Sequence, residues 1–367
     1  MPDWKPDGPL GALLAEVESH DAERFAASVS REVRARFDTL LTGLERYRHH
    51  PYRRDLADPP TLWREGATRL LDYGQGGSAG RPVLFVPSLV NRGYVLDLSA
   101  RRSLLRWLAQ SGIRPLLVEW GWPGDIERRF TLTDYIAGRL ERALDAAVAA
   151  AGGPLPVVGY CMGGQLVAAL AQRRPHDVSA IALMATPWDF HGDAPAEAER
   201  LAASMAPFLP LVAEWGELPV DGIQALFTAL DPLLAVKKFS AFARLDPASD
   251  RAEAFVALED WLNDGVPLAA PVAIECLSGW YGENTPARGE WRIAGEPVDP
   301  GRLDVPSLHL IPSRDRIVPP ASARALADAI AGARRIEPTL GHIGMVVGGR
   351  APRQIWKPLA DWLTAPD

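Results

Sequence analysis

Cysteine is scarce: the 367-residue chain carries two, Cys161 and Cys276. Two thiols build neither a disulfide framework nor a cysteine-lined zinc site, and a working thiol suits a reduced compartment. Long apolar runs are also missing. The stretch from Leu140 to Gly153 is broken by Glu141, Arg142 and Asp145, so nothing reads as a bilayer span. Met1-Pro2-Asp3-Trp4-Lys5 lacks a basic stretch followed by an apolar one, and no signal peptide is expected. Positive charge is not in excess: the net charge of −7 argues against nucleic acid as the main partner. No histidine pair has ligand spacing beside acidic partners, there is no G-x-x-x-x-G-K loop, and Gly159–Gly164 does not form a dinucleotide fingerprint. No metal and no permanently bound cofactor are therefore expected. What remains is a cytoplasmic globular protein, 47% hydrophobic and 23% charged, with ample chain for a sizeable core.

Within that chain, apolar strands alternate with helical patterns from about residue 81. Val83–Pro87, Pro115–Glu119, Pro156–Val158 and Ala180–Met184 read as strands, with helices at Leu104–Leu108, about Leu132–Ala151 and up to Arg174. The alternation lapses between Phe190 and Pro300, where alanine, leucine, proline and tryptophan mostly show helical spacing. It resumes at Val305–Pro312, followed by helices at about Ala321–Ala331 and Pro352–Leu363. Continuous apolar strands joined by helices predict an α/β fold with a mostly parallel sheet covered on both faces. The expected organisation is a helical N-terminal extension over 1–80, a core in two parts over 81–189 and 301–367, and a mainly helical cap inserted over 190–300. The extension ends in a basic cluster, Arg46–Arg54, read as a solvated surface or, less readily, as a contact for coenzyme A phosphates or an acidic partner.

The densest signal is Val157-Val158-Gly159-Tyr160-Cys161-Met162-Gly163-Gly164, where a strand passes into a helix. It has the form G-x-nucleophile-x-G, with cysteine where serine is usual. The glycines leave space for a sharp, strained turn that presents the nucleophile. A thiol is both a strong nucleophile and a good leaving group from an acyl-enzyme, so thioester chemistry is expected. Such a nucleophile needs a base, and the base an orienting partner; in the α/β-hydrolase arrangement both follow in the order acid, then histidine. Asp315, after the resumed strand, and His342, in Leu340-Gly341-His342-Ile343-Gly344, satisfy that order. Taken alone, Cys161 could be a core thiol, Asp315 a helix cap and His342 a structural histidine. His342 gains because no other histidine follows both Cys161 and Asp315; His20, His49, His50, His176, His191 and His309 are read as structural. An oxyanion hole is expected from the backbone N–H of Met162 and one from the Pro87–Arg92 loop, with Val90 the first choice.

With these residues assembled, the chain from about Arg81 resembles the polyhydroxyalkanoate synthases, cysteine-nucleophile enzymes of the α/β-hydrolase superfamily that polymerise 3-hydroxyacyl-coenzyme A. The resemblance rests on five segments in order: Pro87–Leu98, Gly159–Gly164, Trp261–Pro267, Asp315–Pro320 and Gly341–Ile343. It implies that Cys161 carries the growing polyester as a thioester. It also implies that His342 deprotonates the thiol and later the 3-hydroxyl of the incoming unit, and that Asp315 orients His342 or shares its role. Coenzyme A thioesters would be substrate and the polyester granule surface a place of work. The short N-terminal section is nearer to synthases that need a second subunit; a homodimer is equally compatible. A polyester depolymerase or acyl-CoA thioesterase with the same Cys-Asp-His set is the alternative, and a granule-associated protein with a relic site is a third reading.

Overall fold

The computed structural model describes residues 9–74 and 80–365; the Met1–Lys5 segment lies outside them. The chain groups into two compact units, residues 54–230 with 257–367, and residues 1–53 with 231–256.

The larger unit is built on eight strands: β1 (Thr61–Glu65), β2 (Thr68–Asp72), β3 (Arg81–Val86), β4 (Ile113–Glu119), β5 (Leu155–Tyr160), β6 (Val178–Met184), β7 (Ser307–Leu310) and β8 (Arg334–Ile336). Their order across the sheet is β1-β2-β4-β3-β5-β6-β7-β8. Every pair from β4 to β8 is parallel, and β2 runs antiparallel to both β1 and β4. Successive strand residues point to opposite faces, yet Val83, Leu84, Phe85 and Val86 are all 0% exposed. Both faces of the sheet are therefore covered, as the unbroken apolar strands require. The register sets Leu84 beside Val157 and Val86 beside Gly159, which brings the ends of β3 and β5 level.

The β1–β2 hairpin lies within the segment 1–80 expected as a helical extension. Its sequence, Thr-Leu-Trp-Arg-Glu-Gly-Ala-Thr-Arg-Leu-Leu-Asp, is polar enough to pass for a loop because β1 is an edge strand with mostly exposed side chains. Gly66 makes the turn at a φ of 55°.

Helices α1 (Pro9–Glu18) and α2 (Ala22–Arg48) belong to the smaller unit. Connecting helices α3 (Leu104–Gln110), α4 (Glu141–Ala151) and α5 (Met162–Arg173) follow within the larger one. Between β6 and β7 come α6 (Pro195–Met205), α7 (Leu209–Trp215), α8 (Val220–Leu230), α9 (Leu234–Phe242), α10 (Asp250–Asn263) and α11 (Ala270–Ile274). The chain closes with α12 (Pro320–Ala329), α13 (Gly344–Val347) and α14 (Lys357–Thr364). The insertion expected as one cap is thus shared: α9 and the start of α10 group with α2 in the smaller unit. There Gly43 of α2 lies against the Phe239 carbonyl, so close that a Cβ would sit 2.1 Å from its oxygen.

A buried charge cluster anchors the loop after β3. Asp97, 0% exposed, takes two bonds from Arg106, Nε at 2.8 Å and Nη2 at 3.0 Å, one from Arg54 at 3.3 Å and one from the Tyr73 hydroxyl at 3.1 Å. Removing the carboxylate takes the charged partner from two partly exposed guanidinium groups and the acceptor from the buried Tyr73 hydroxyl, a loss of about 1–3 kcal/mol. Asp97→Ala should lower unfolding stability by that amount in urea titration, while Asp58→Ala, whose Arg69 partner sits in a more exposed pair, should change it by less than about 1 kcal/mol.

Candidate active site

Cys161 stands between the end of β5 and the start of α5 with φ 55° and ψ −131°, a conformation that costs a non-glycine residue strain. Close backbone approach holds it there. A Cβ on Gly159 would lie 2.4 Å from Gly164 Cα, and one on Gly163 would lie 2.1 Å from the Val86 carbonyl oxygen. One on Gly164 would lie 1.8 Å from Thr186 Oγ1. The Cys161 N–H donates to the Met184 carbonyl at 2.8 Å, and its own carbonyl accepts from Gly164 N–H at 2.9 Å. The side chain is half-buried at the edge of the main apolar core.

The structure brings Asp315 and His342 to this turn. Asp315 follows β7, and one of its oxygens accepts from the N–H groups of Ile317 and Val318 at 2.8 and 2.9 Å. That leaves the other oxygen to accept from His342 Nδ1 at 2.6 Å. Both groups are buried, 6% and 8% exposed. With Nδ1 so engaged, Nε2 is the nitrogen left to interact with the Cys161 sulfur, whose charge acts on the ring. The loop carrying His342 is pinned by Arg314 N–H on the Leu340 carbonyl and by the Tyr160 hydroxyl on the His342 carbonyl. The Tyr160 ring also lies 5.2 Å from the imidazole. Tyr160, the variable residue of the elbow motif, therefore supports the histidine, a role that its sequence position alone does not disclose.

Burial alone would strip the proton from His342. The negative charge on Cys161 and the hydrogen bonds to Asp315 and Cys161 outweigh it and lift the imidazole to about 10. While the sulfur is ionised, the proton stays on His342. Cys276 is the contrasting thiol: buried, with Glu275 beside it, it is pushed well above the ordinary cysteine range and stays protonated.

Of the two expected oxyanion donors, Met162 is the first residue of α5, and its N–H has no acceptor within the helix. Val90 is differently placed: its N–H donates to Ser88 Oγ at 2.9 Å, so the second expected donor is engaged within its own loop. Two residues further on, the Arg92 carbonyl accepts from Trp261 Nε1 at 2.8 Å, which joins the Trp261–Pro267 segment to this loop.

The insertion also reaches the thiol. Burial and the Cys161 charge together push the Tyr281 phenol upward, so it stays protonated within electrostatic range of the sulfur. The Tyr281 ring packs edge-on to Phe190 at 4.9 Å, and its carbonyl binds His191 Nε2 at 2.9 Å. Asn284, at a φ of 55°, accepts from Phe190 N–H and donates to Asp189, which ties this turn to the chain after β6. Nothing in residue spacing distinguishes Tyr281 from other aromatic residues of the insertion.

The basic cluster is largely spent on internal bonds. Arg46 donates to the carbonyls of Ala243 and Leu245, Arg53 to that of His50, and Arg54 binds Asp97. His309 is buried on β7 and held neutral, its pKa pulled down to about 4 by desolvation and by Arg335. Among the described residues no group of three His, Cys, Asp or Glu side chains is placed to hold a metal ion, and no helix is long and apolar enough to cross a membrane.

Two measurements follow from this geometry. Iodoacetamide should label Cys161 and leave Cys276 unmodified in the folded protein, read by peptide mass spectrometry; equal labelling would contradict the contrast in environment. Neutral alkylation of Cys161 removes the charge that holds the His342 proton. The imidazole should then titrate roughly 1–3 pH units lower than in the free-thiol protein, as followed by NMR of labelled histidine.

Comparison with known proteins shows the family to which the chain belongs. The family profile described as alpha/beta hydrolase fold matches residues 81–348. The poly(3-hydroxyalkanoate) polymerase subunit PhaC of Synechocystis is 30% identical over 294 residues, covering 77% of this chain and 77% of that one. Those of Haloarcula marismortui and Haloferax mediterranei are each 29% identical and cover 77% and 82% of this chain. The chain spans only 60% and 62% of these two relatives' own lengths. Among solved structures, the thioesterase domain from the curacin biosynthetic pathway superposes with a TM-score of 0.50 at 14% identity, covering 85% of this chain and all of that one, a likeness of fold alone. The chain belongs to the α/β-hydrolase fold family and, within it, to the poly(3-hydroxyalkanoate) polymerase PhaC family.

Proposed function

We propose that the protein is an acyltransferase that polymerises 3-hydroxyacyl-coenzyme A into polyhydroxyalkanoate through a thioester on Cys161. The observation that carries this reading is the strained Cys161 turn beside the 2.6 Å His342–Asp315 pair, in a chain of the polymerase family. Coenzyme A thioesters are substrate rather than bound cofactor, and the work is done in the cytoplasm at the surface of the polyester product.

The charge balance of the pair supplies a sequence of steps. The Cys161 thiolate attacks the carbonyl carbon of the substrate thioester, and the Met162 N–H stabilises the resulting oxyanion. The carbon–sulfur bond to coenzyme A breaks, and the departing thiolate takes the proton from His342 to leave as a thiol. Acylation has now erased the negative charge on Cys161. The interaction that held the imidazole protonated is lost with it, and burial favours the neutral ring. Neutral His342 is then a base. It takes the proton of an incoming 3-hydroxyl as that oxygen attacks the acyl carbon, an ester forms, and Cys161 is released as a thiolate beside a protonated histidine. Asp315 aligns the ring throughout and stabilises its charged form.

Water in place of the 3-hydroxyl would give hydrolysis by the same residues. The two outcomes separate in one experiment: with 3-hydroxybutyryl-coenzyme A, thiol release should be accompanied by polymer. Thiol release with soluble monomer alone would replace this reading with a thioesterase. Cys161→Ala should abolish turnover with the circular dichroism spectrum unchanged. His342→Ala should lose roughly three orders of magnitude in kcat, because the members of such a set act as a unit.

A further inference from the structure

The Val90 N–H, expected as the second oxyanion donor, is already bonded to Ser88 Oγ at 2.9 Å. An N–H so engaged can serve a developing oxyanion only by giving up the acceptor it has. The same bond leaves the serine with something to give. A hydroxyl accepts on its lone pairs and keeps one O–H to donate. Ser88 is 7% exposed, and among the described residues its hydroxyl proton is given no acceptor. Buried polar side chains ordinarily have their partners, so a donor held back in this way calls for an explanation.

Its place in the fold supplies one. Ser88 is joined to Pro87, whose carbonyl carbon and oxygen each lie 2.7 Å from the point that a Cβ on Gly163 would occupy. Gly163 follows Met162, the first donor of the site, so Ser88 stands one residue from the contact between this loop and the first turn of α5. The loop is fixed on both sides of the serine. The Pro87 carbonyl accepts from Trp120 Nε1 at 3.1 Å, and the Arg92 carbonyl from Trp261 Nε1 at 2.8 Å. A hydroxyl that receives a hydrogen bond is polarised by it, because linked bonds strengthen one another, and becomes the better donor.

We propose that the second oxyanion donor is the side-chain hydroxyl of Ser88, backed by the Val90 N–H, and not that N–H itself. As the Cys161 sulfur adds to a thioester carbonyl, the π pair moves onto the oxygen, which takes hydrogen bonds from Met162 N–H and Ser88 O–H. Both bonds slacken when the carbonyl re-forms and the carbon–sulfur bond to coenzyme A breaks. This role rests on acyl chemistry at Cys161, but not on whether the acyl group is later extended or hydrolysed, since both routes share the first addition.

Two rates at the same thiol test it. Acylation by 3-hydroxybutyryl-coenzyme A passes through an oxyanion; alkylation by iodoacetamide displaces iodide and passes through none. In Ser88→Ala, release of the first equivalent of coenzyme A, followed by rapid quench, should slow about a hundredfold, as for the loss of one such donor, while alkylation of Cys161 stays within about twofold of wild type. Ser88→Thr keeps the hydroxyl and should regain at least about tenfold of that loss. A Ser88→Ala protein that acylates as fast as wild type, or faster, would overturn the proposal, because the released Val90 N–H would then be the donor. Equal slowing of acylation and alkylation would overturn it as well, showing a change in the loop rather than the loss of a donor. A wild-type chain that is alkylated at Cys161 yet releases no coenzyme A would instead remove the acyl-transfer reading, and the role of Ser88 with it.

Discussion

The arrangement around Cys161 depends on backbone meeting backbone. Where β3 and β5 end level, Gly163 passes against the Val86 carbonyl, and Gly159 passes against Gly164. Side chains at these positions would push α5 away from the sheet, and the turn could not close. Because it does close, Cys161 is held at a positive φ with its sulfur at the carboxyl ends of the parallel strands. Asp315 follows β7, and the loop after β8 delivers His342 to the same edge. The strain at one residue is carried by the hydrogen bonds of two neighbouring strands, one of them the 2.8 Å bond from Cys161 N–H to Met184.

Electrostatics add a dependence that geometry alone does not convey. His342 is buried enough that its charged form would be disfavoured, and it is the neighbouring sulfur and carboxylate that reverse the balance. Of these, the Asp315 contact is untouched by acylation, whereas a sulfur carrying an acyl group has no charge to offer the ring. In the proposed cycle the histidine accordingly acts as acid when the sulfur is free and as base when it is loaded, with no movement of either side chain. A serine hydroxyl ionises far less readily than a thiol, so the cysteine affects the histidine's role as well as its own reactivity.

Features that depend on local sequence were legible without coordinates. The elbow, the parallel strands and the order Cys161, Asp315, His342 each leave a short motif. A turn that closes as tightly as this one admits little besides glycine, and a strand covered on both faces needs an unbroken run of valine and leucine. Features set by distant contact were not legible. The β1–β2 hairpin reads as polar because an edge strand buries little of itself. The second oxyanion donor depends on whether a backbone N–H is already engaged, and Ser88 captures the one at Val90. Tyr281 is set against Phe190, far away in the chain, with Asn284 accepting from the Phe190 N–H, and its phenol comes within electrostatic range of Cys161. The division of the insertion between two units follows from α9 packing on α2, a pairing invisible in either helix alone.

In the proposed chemistry, what becomes of the acyl group is decided by which oxygen reaches it. His342 as base does not distinguish a 3-hydroxyl from water, since either presents an O–H to the same nitrogen. Discrimination has to come from access to the acyl carbon. Trp188, Trp280 and Trp291 are almost wholly buried in the core against which the cysteine packs, with Phe190 stacked on Trp280 at 5.5 Å. An acceptor that arrives attached to its own hydrocarbon gains by burying it, as water does not, and in the proposed chemistry that acceptor is the next 3-hydroxyacyl unit.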